Sequence, residues 1–189
     1  IVLKGKLAGK GHVIIGDSPF GRADITKIHA LTHIESVVDR YRTSDFRIDV
    51  IDIRNYYLKT VGEVVVQKYK LAGDPRGNRV IHLGRDSAFF NKENKAYAFV
   101  DDMFPVSDFH DENHDDYVVS QSVLDCDLFI NLPKLKTHRS AGMTCAMKNL
   151  IGIIGNKNSI PHRTEGSADA GGDSYPAMPG NGQAKLGRT

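Results

Sequence analysis

Apolar and polar residues alternate along this chain in short blocks, and the period of each block predicts an element. Gly11-His-Val-Ile-Ile-Gly16 is an apolar run closed by Asp17-Ser-Pro-Phe-Gly21, the pattern of a strand followed by a loop. Ile25, Ile28, Leu31, Val37, Val38 and Tyr41 recur at near-helical spacing, and Ile48-Asp-Val-Ile-Asp-Ile53 reads as a second strand. Strands separated by a helix of that length pair in parallel through a right-handed crossover, which predicts α/β layering. Between about residues 60 and 104 the pattern changes to Val61–Val66, Val80–Leu83 and Ala96–Val100, joined by the turn-rich Gly73-Asp-Pro-Arg-Gly-Asn78. Tyr117–Leu124 reads as a short helix, Asp127-Leu-Phe-Ile-Asn131 as a buried strand and Thr144–Ile153 as a further helix. The expected fold is therefore α/β: a mainly parallel sheet flanked by helices, with an antiparallel-strand insertion in the middle of the chain. A single domain is expected over residues 1–165, followed by a mobile or disordered segment over 166–189. A start at Ile1 and a Gly- and Pro-rich end suggest a fragment of a longer protein.

The densest chemistry follows the Asp127–Asn131 run. Pro133 lacks an amide hydrogen and stops a strand, so Lys134, Lys136 and His138 are expected on one side of extended backbone, with Leu135 facing away. Gly142 permits close backbone approach, and Thr144 is a candidate helix N-cap. Thr144 and Lys148 then fall four apart on one helical face, with Asn149 beside them. Amines, an imidazole and helix-terminal amides converging past a strand end suit a small anionic ligand.

Composition narrows the classes. With 189 residues and 40% hydrophobic content the chain can bury a sizeable core. Its 25 basic and 23 acidic residues, a formal net charge of +2, argue against a nucleic-acid surface. No apolar run approaches the roughly 20 residues that span a bilayer, so no membrane partner is expected. The two cysteines, Cys126 and Cys145, form no close pair of the kind that builds a zinc or iron-sulfur site, and a reducing cytoplasm is the expected location.

Other polar clusters carry weaker chemistry. Phe109-His-Asp-Glu-Asn-His114-Asp-Asp116 offers imidazoles and carboxylates, but its spacing fits neither a calcium loop nor a helical zinc pattern, so a solvated acidic loop is expected. His29 and His33 share a helical face without an evident third ligand. Asp17 and Ser18, at the end of the first strand, are placed to orient a ligand or to cap the following helix. The segment His162–Tyr175 reads as a mobile loop of the kind that closes over sites.

Leu-Pro-Lys-Leu-Lys-Thr-His138, then Gly142-x-Thr-x-x-x-Lys-Asn-Leu-x-Gly152 and the later His162-Arg163, together with Gly16-Asp-Ser-Pro19, resembles the bacterial and archaeal domain of unknown function family 362. The resemblance implies importance for Lys134, Lys136, His138, Lys148, Asn149 and His162. It also implies an iron-sulfur protein or domain as a partner, because members often accompany ferredoxin-type segments. The order His138, Lys148, His162, at intervals of ten and fourteen residues, is also similar to the His, Lys, His series of nickel-pincer lactate racemases. That likeness implies a lysine carrying a covalent cofactor between proton-carrying imidazoles. From the residues themselves, the expected function is an enzyme acting on a small carboxylate- or phosphate-bearing molecule. His138, Lys148 and His162 are its expected catalytic groups, and Asp17, Ser18, Lys134, Lys136, Thr144 and Asn149 its ligand-binding groups. No metal site is assigned and the cofactor is left open. The alternative is a non-catalytic binding or redox-accessory module for an iron-sulfur partner.

Overall fold

Alternation in the first apolar block does produce a strand, and it pairs in parallel with the second. In the computed structural model, which describes residues 2–62, 64–90, 96–98, 109–111, 114–138 and 142–164, the elements run in the following order. The first are α1 (Val2–Lys6), β1 (Gly11–Asp17), α2 (Ile25–Thr32), α3 (Ile34–Tyr41), β2 (Phe46–Asp52), β3 (Tyr56–Val61), β4 (Val64–Lys70) and β5 (Asn78–His82). Then come β6 (Ala96–Ala98), β7 (Asp116–Ser120), α4 (Gln121–Leu124), β8 (Lys136–His138), β9 (Gly142–Thr144), α5 (Ala146–Asn149) and β10 (Pro161–Thr164). The chain divides into two units, Ile1–Asn78 with Ser120–Gly155, and Arg79–Val119 with Asn156–Thr189. Among the described residues no helix is long and apolar enough to cross a membrane.

In the first unit β1 and β2 run parallel in register from Gly11 opposite Phe46 to Asp17 opposite Asp52. One face packs on α3: Val38, Phe46 and Ile48 are buried, with Val13, Ile34, Tyr41 and Val50 against them. The expected single helix is two. Thr32 Oγ1 donates to the carbonyls of Ile28 and His29, competing with the helical ladder, and His33 adopts a left-handed φ of 51° that ends α2 and starts α3. The other face of the strand pair carries a charged cluster beside Ile14 and Ile51, with His12 Nε2 and Arg47 Nη2 lying 2.8 and 2.7 Å from Asp49 Oδ2. Arg47 foremost, with His12, holds the Asp49 carboxyl below its usual value against the opposing effect of burial.

Two buried carboxylate networks hold the loops. Arg54, 2% exposed, forks onto Asp52 with Nε 2.9 Å from Oδ1 and Nη2 2.7 Å from Oδ2. Its Nη1 donates to the carbonyls of Phe20, Gly21 and Ala23 at 3.0, 3.2 and 2.8 Å. Asp74, 3% exposed, accepts from Ser122 Oγ at 2.6 Å, from the amides of Ser122 and Arg76 at 2.8 Å each, and from Ser120 Oγ. Burial pushes its carboxyl up, but the hydroxyls of Ser120 and Ser122 and the two amides outweigh burial and hold it below the ordinary 3.8.

In the second unit β5 pairs with β7, and β6 pairs antiparallel with β10. His110 is clamped there, with Nδ1 2.6 Å from Asp115 Oδ1 and Nε2 donating to the Ser159 carbonyl at 2.9 Å.

The expected mainly parallel, helix-flanked sheet is not what forms. The described strands make five two-stranded sheets, of which β1–β2 is parallel and β3–β4, β6–β10 and β8–β9 are antiparallel. A wider parallel sheet needs further strands beside the first pair, and among the described residues none joins β1 and β2, whose second face carries the His12, Arg47 and Asp49 cluster. The Asp127–Asn131 run forms no strand and pairs with none among the described residues, and Leu128 is 68% exposed. The expected strand Val61–Val66 instead straddles the turn between β3 and β4, where Gly62 takes a φ of 58°. Tyr117–Leu124 is half strand β7 and half helix α4, because buried Val118 and Val119 favour the pleated sheet. Residues 99–100 of the Ala96–Val100 strand, and everything from 165 onward, lie outside the described residues.

Arg54→Lys keeps the charge but loses the fork, so it should cost about 3 kcal/mol in urea denaturation. Asp74→Ala strands two buried hydroxyls and two amides and should cost a similar amount, about 3 kcal/mol. Because Asp74's folded pKa lies below its unfolded value, its contribution is present above about pH 4 and lost as pH falls through the folded pKa. Wild-type stability should therefore drop on acidification below pH 4 more steeply than that of Asp74→Ala, as measured by urea midpoints along a pH series.

Candidate functional site

Three short elements build the site. β8 and β9 pair with Lys136 opposite Thr144, Thr137 opposite Met143 and His138 opposite Gly142. The two-residue period puts Lys136 and His138 on one face of this hairpin. Gly142 takes a φ of 71° with no atom of the described residues within 4 Å of where a Cβ would sit, so glycine serves the backbone conformation here rather than the expected close approach. α5 begins directly after β9 and carries Lys148 back toward the hairpin. Lys148 Nζ lies 2.6 Å from His138 Nε2, in a half-buried position.

An amide chain braces this arrangement. Asn149 Nδ2 donates to Asn131 Oδ1 at 2.7 Å, and Asn131 Nδ2 donates to the Ala146 carbonyl at 2.9 Å. Gly152, in the 3-10 turn that follows α5, lies against the Asp17 carboxylate so closely that a Cβ there would strike Asp17 Oδ1. Ser18 is 3% exposed, and its Oγ has no hydrogen-bond partner among the described residues.

Several expected placements differ. Thr144 lies buried in β9, not at the helix start. The N-cap position falls to Cys145, whose side chain makes no cap bond, so Thr144 and Lys148 do not share a helical face. The helix is a single turn, too short for the amide array that was expected to face an anion. Lys134 is exposed in the coil before β8, and Lys136 is exposed on β8. His162 belongs by its backbone to β10 of the second unit, and its side chain lies outside the described residues.

With the geometry in hand, comparison with known proteins places the chain. Residues 57–178, well over half of it, match the family described as Domain of unknown function (DUF362). The chain belongs to this family. The DUF362 match includes every motif residue from Asn131 to Gly152 and leaves Asp17 and Ser18 outside it. The chain is also 26% identical over 119 residues to the peptidyl-tRNA hydrolase of Limosilactobacillus reuteri (strain DSM 20016), an alignment covering 63% of this chain and 59% of that protein. It is 40% identical over 52 residues to the thylakoid-associated protein sll1697 of Synechocystis sp. (strain ATCC 27184 / PCC 6803 / Kazusa), covering 28% of this chain and 16% of that protein. No solved structure matches.

Sequence reasoning missed Asn131, which it read only as the end of a strand. Its position eighteen residues before a second asparagine was the one available signal. The role of Gly152 against Asp17 was missed as well. The remaining clusters do not add to this site. His110, His114 and His82 each face a carboxylate, Asp115, Asp111 and Asp116, at 2.6, 2.5 and 2.8 Å. His29 Nδ1 lies 3.6 Å from Glu35. Among the described residues no three His, Cys, Asp or Glu side chains converge as metal ligands. Cys126 and Cys145 are both exposed and unbridged. A cleft of about 220 Å³ on the second face of β1–β2 is lined by His12, Ile14, Arg47, Asp49, Ile51 and Arg76. It contains none of the motif residues, and its arginines pair with Asp49 and Asp125.

The Asn131 brace is testable. Asn131→Ala removes two hydrogen bonds that hold α5 and should cost about 1–2 kcal/mol in urea denaturation. It should also change the His138 ring ¹⁵N shifts, since Lys148 would no longer be held at Nε2.

Proposed function

We propose that this DUF362 domain is an enzyme acting on a small carboxylate- or phosphate-bearing molecule, with Lys148 and His138 as its proton-transferring pair. The supporting observation is their direct 2.6 Å contact. Two nitrogens at that separation need one donor and one lone pair, so the pair cannot be ammonium and imidazolium together. Such a pair can pass a proton directly between its members, and general acid–base chemistry uses groups within this hydrogen-bond reach. Lys136, on the same face as His138, and Lys134 just before it supply positive charge for the substrate's anionic group.

A thermal-shift titration with a panel of small phosphates and carboxylates tests this reading, since a ligand that binds only the folded chain raises Tm. At least one member should stabilise the wild type. Lys148→Arg should fold within about 1 kcal/mol of wild type and keep most of that shift, because the charge remains. It should nevertheless lose exchange of ligand C–H for deuterium in D2O, followed by NMR, because arginine does not give up its proton. No Tm shift in either protein would count against a small-anion site and favour a non-catalytic binding or redox-accessory module.

A further inference from the structure

We propose that Lys148 is a carbon-directed nucleophile: its amine condenses with the carbonyl of a small oxo acid, and His138 carries the protons of that condensation. The inference rests on the proposed reading of this site as an anion-binding, proton-transferring centre, and it narrows the substrate class from any small anion to one bearing an aldehyde or ketone beside a carboxylate. An amine attacks a carbonyl only when its nitrogen lone pair is available. For an exposed lysine that requires shedding a proton to water. For Lys148 the acceptor is already in place, 2.6 Å away, and moving the one proton across the contact leaves a neutral amine beside an imidazolium. The charge of the pair does not change, so its half-buried surroundings do not oppose the transfer.

The steps balance within the site. The amine lone pair bonds to the carbonyl carbon while the carbon–oxygen π pair moves onto oxygen. A proton passes from nitrogen to that oxygen to give the carbinolamine. The imidazolium of His138 then donates its proton to the departing hydroxyl, water leaves, and the nitrogen pair closes a cationic imine. Overall, an ammonium and a carbonyl become an iminium and water, at constant charge. Lys136 lies two residues from His138 on the same strand face, roughly 7 Å along the backbone, within reach of the substrate's carboxylate by its flexible stem. A phosphate ester without a carbonyl would satisfy the lysines but offer nothing to Lys148.

The experiment uses the full 189-residue chain with pyruvate and glyoxylate as probes and cyanoborohydride as the trap, read by intact mass and peptide mapping. Reduced adduct should form on Lys148 at least about tenfold faster than on exposed Lys134 and Lys136, and His138→Gln should slow it by about a hundredfold or more and alter its pH profile. Acetate, which has a carboxylate but no carbonyl, should compete with trapping in the unmodified protein, which keeps the test independent of whether any variant folds. Adduct spread evenly over surface lysines, or absent from Lys148, overturns the inference. If phosphates and carboxylates still raise Tm in that case, the anion-binding enzyme stands without the covalent step. If they do not, both readings fall.

Discussion

One buried guanidinium holds the ends of the two parallel strands to the loop that leaves them. Arg54 spends its fork on Asp52, at the last position of β2, and its remaining terminal nitrogen on three carbonyls of the loop that follows β1. A lysine has no planar array of donors with which to do this. Gly21, whose carbonyl is one of the acceptors, also accepts from the Leu58 amide at 2.9 Å and has no room for a Cβ against the Leu58 side chain. The same point therefore ties β1, β2 and β3 together. Asp17 and Ser18 leave β1 immediately before this anchored loop, so Arg54 helps to fix their position relative to the strand ends. A charge at 2% exposure is tolerated only because a carboxylate and three carbonyls replace its water.

The parallel pair was legible because its signal is local: alternation in Gly11–Gly16 and Ile48–Ile53, with helical spacing between them, needs no knowledge of distant residues. The wider sheet was not legible for the same reason. An apolar run such as Leu128-Phe-Ile130 has the composition of a buried strand whether or not another strand lies beside it, and pairing is a tertiary fact. Here the run is exposed and without a partner strand among the described residues. The merged strand at Val61–Val66 arose similarly, from β-branched residues on both sides of Gly62; the turn was signalled by a single glycine, which can also lie inside a strand. Ser120 was ambiguous in another way, since it ends β7 and also caps α4, its Oγ accepting from the Val123 amide.

At the candidate site the chemistry was easier to read than the geometry. Lysines and a histidine at alternate positions predicted a shared face, and β8 does place Lys136 and His138 together. Thr144 defeated the reading because a threonine before a helical pattern is both a good cap and a good strand residue. Pairing with Lys136 decided in favour of the strand, and the helix began two residues later. Asn131 was invisible as a brace, because an amide declares its partners only when the chain brings Asn149 and the Ala146 carbonyl alongside it.

Seen from Lys148, the spacing of the whole motif is a geometric requirement. The register of β8 with β9 delivers the chain to the start of α5, and one helical turn then swings position 148 back over His138. A residue more or less between Gly142 and Lys148 would rotate the ammonium by about 100° around the helix and away from Nε2. On the far side, Asn149 is fastened to Asn131, and Gly152 lets the following turn approach the Asp17 carboxylate, which any side chain at that position would displace. The helix that carries the lysine is thus held by the hairpin before it, by the amide brace and by the close approach of Gly152 to Asp17. The Asn-Leu-Pro-Lys-Leu-Lys-Thr-His stretch and the Gly-to-Gly stretch are thereby joined both by the Lys148–His138 contact and by the two hydrogen bonds of Asn131. A one-turn helix has little intrinsic stability, so the precision of that contact comes from the hairpin, the amide brace and the glycine together.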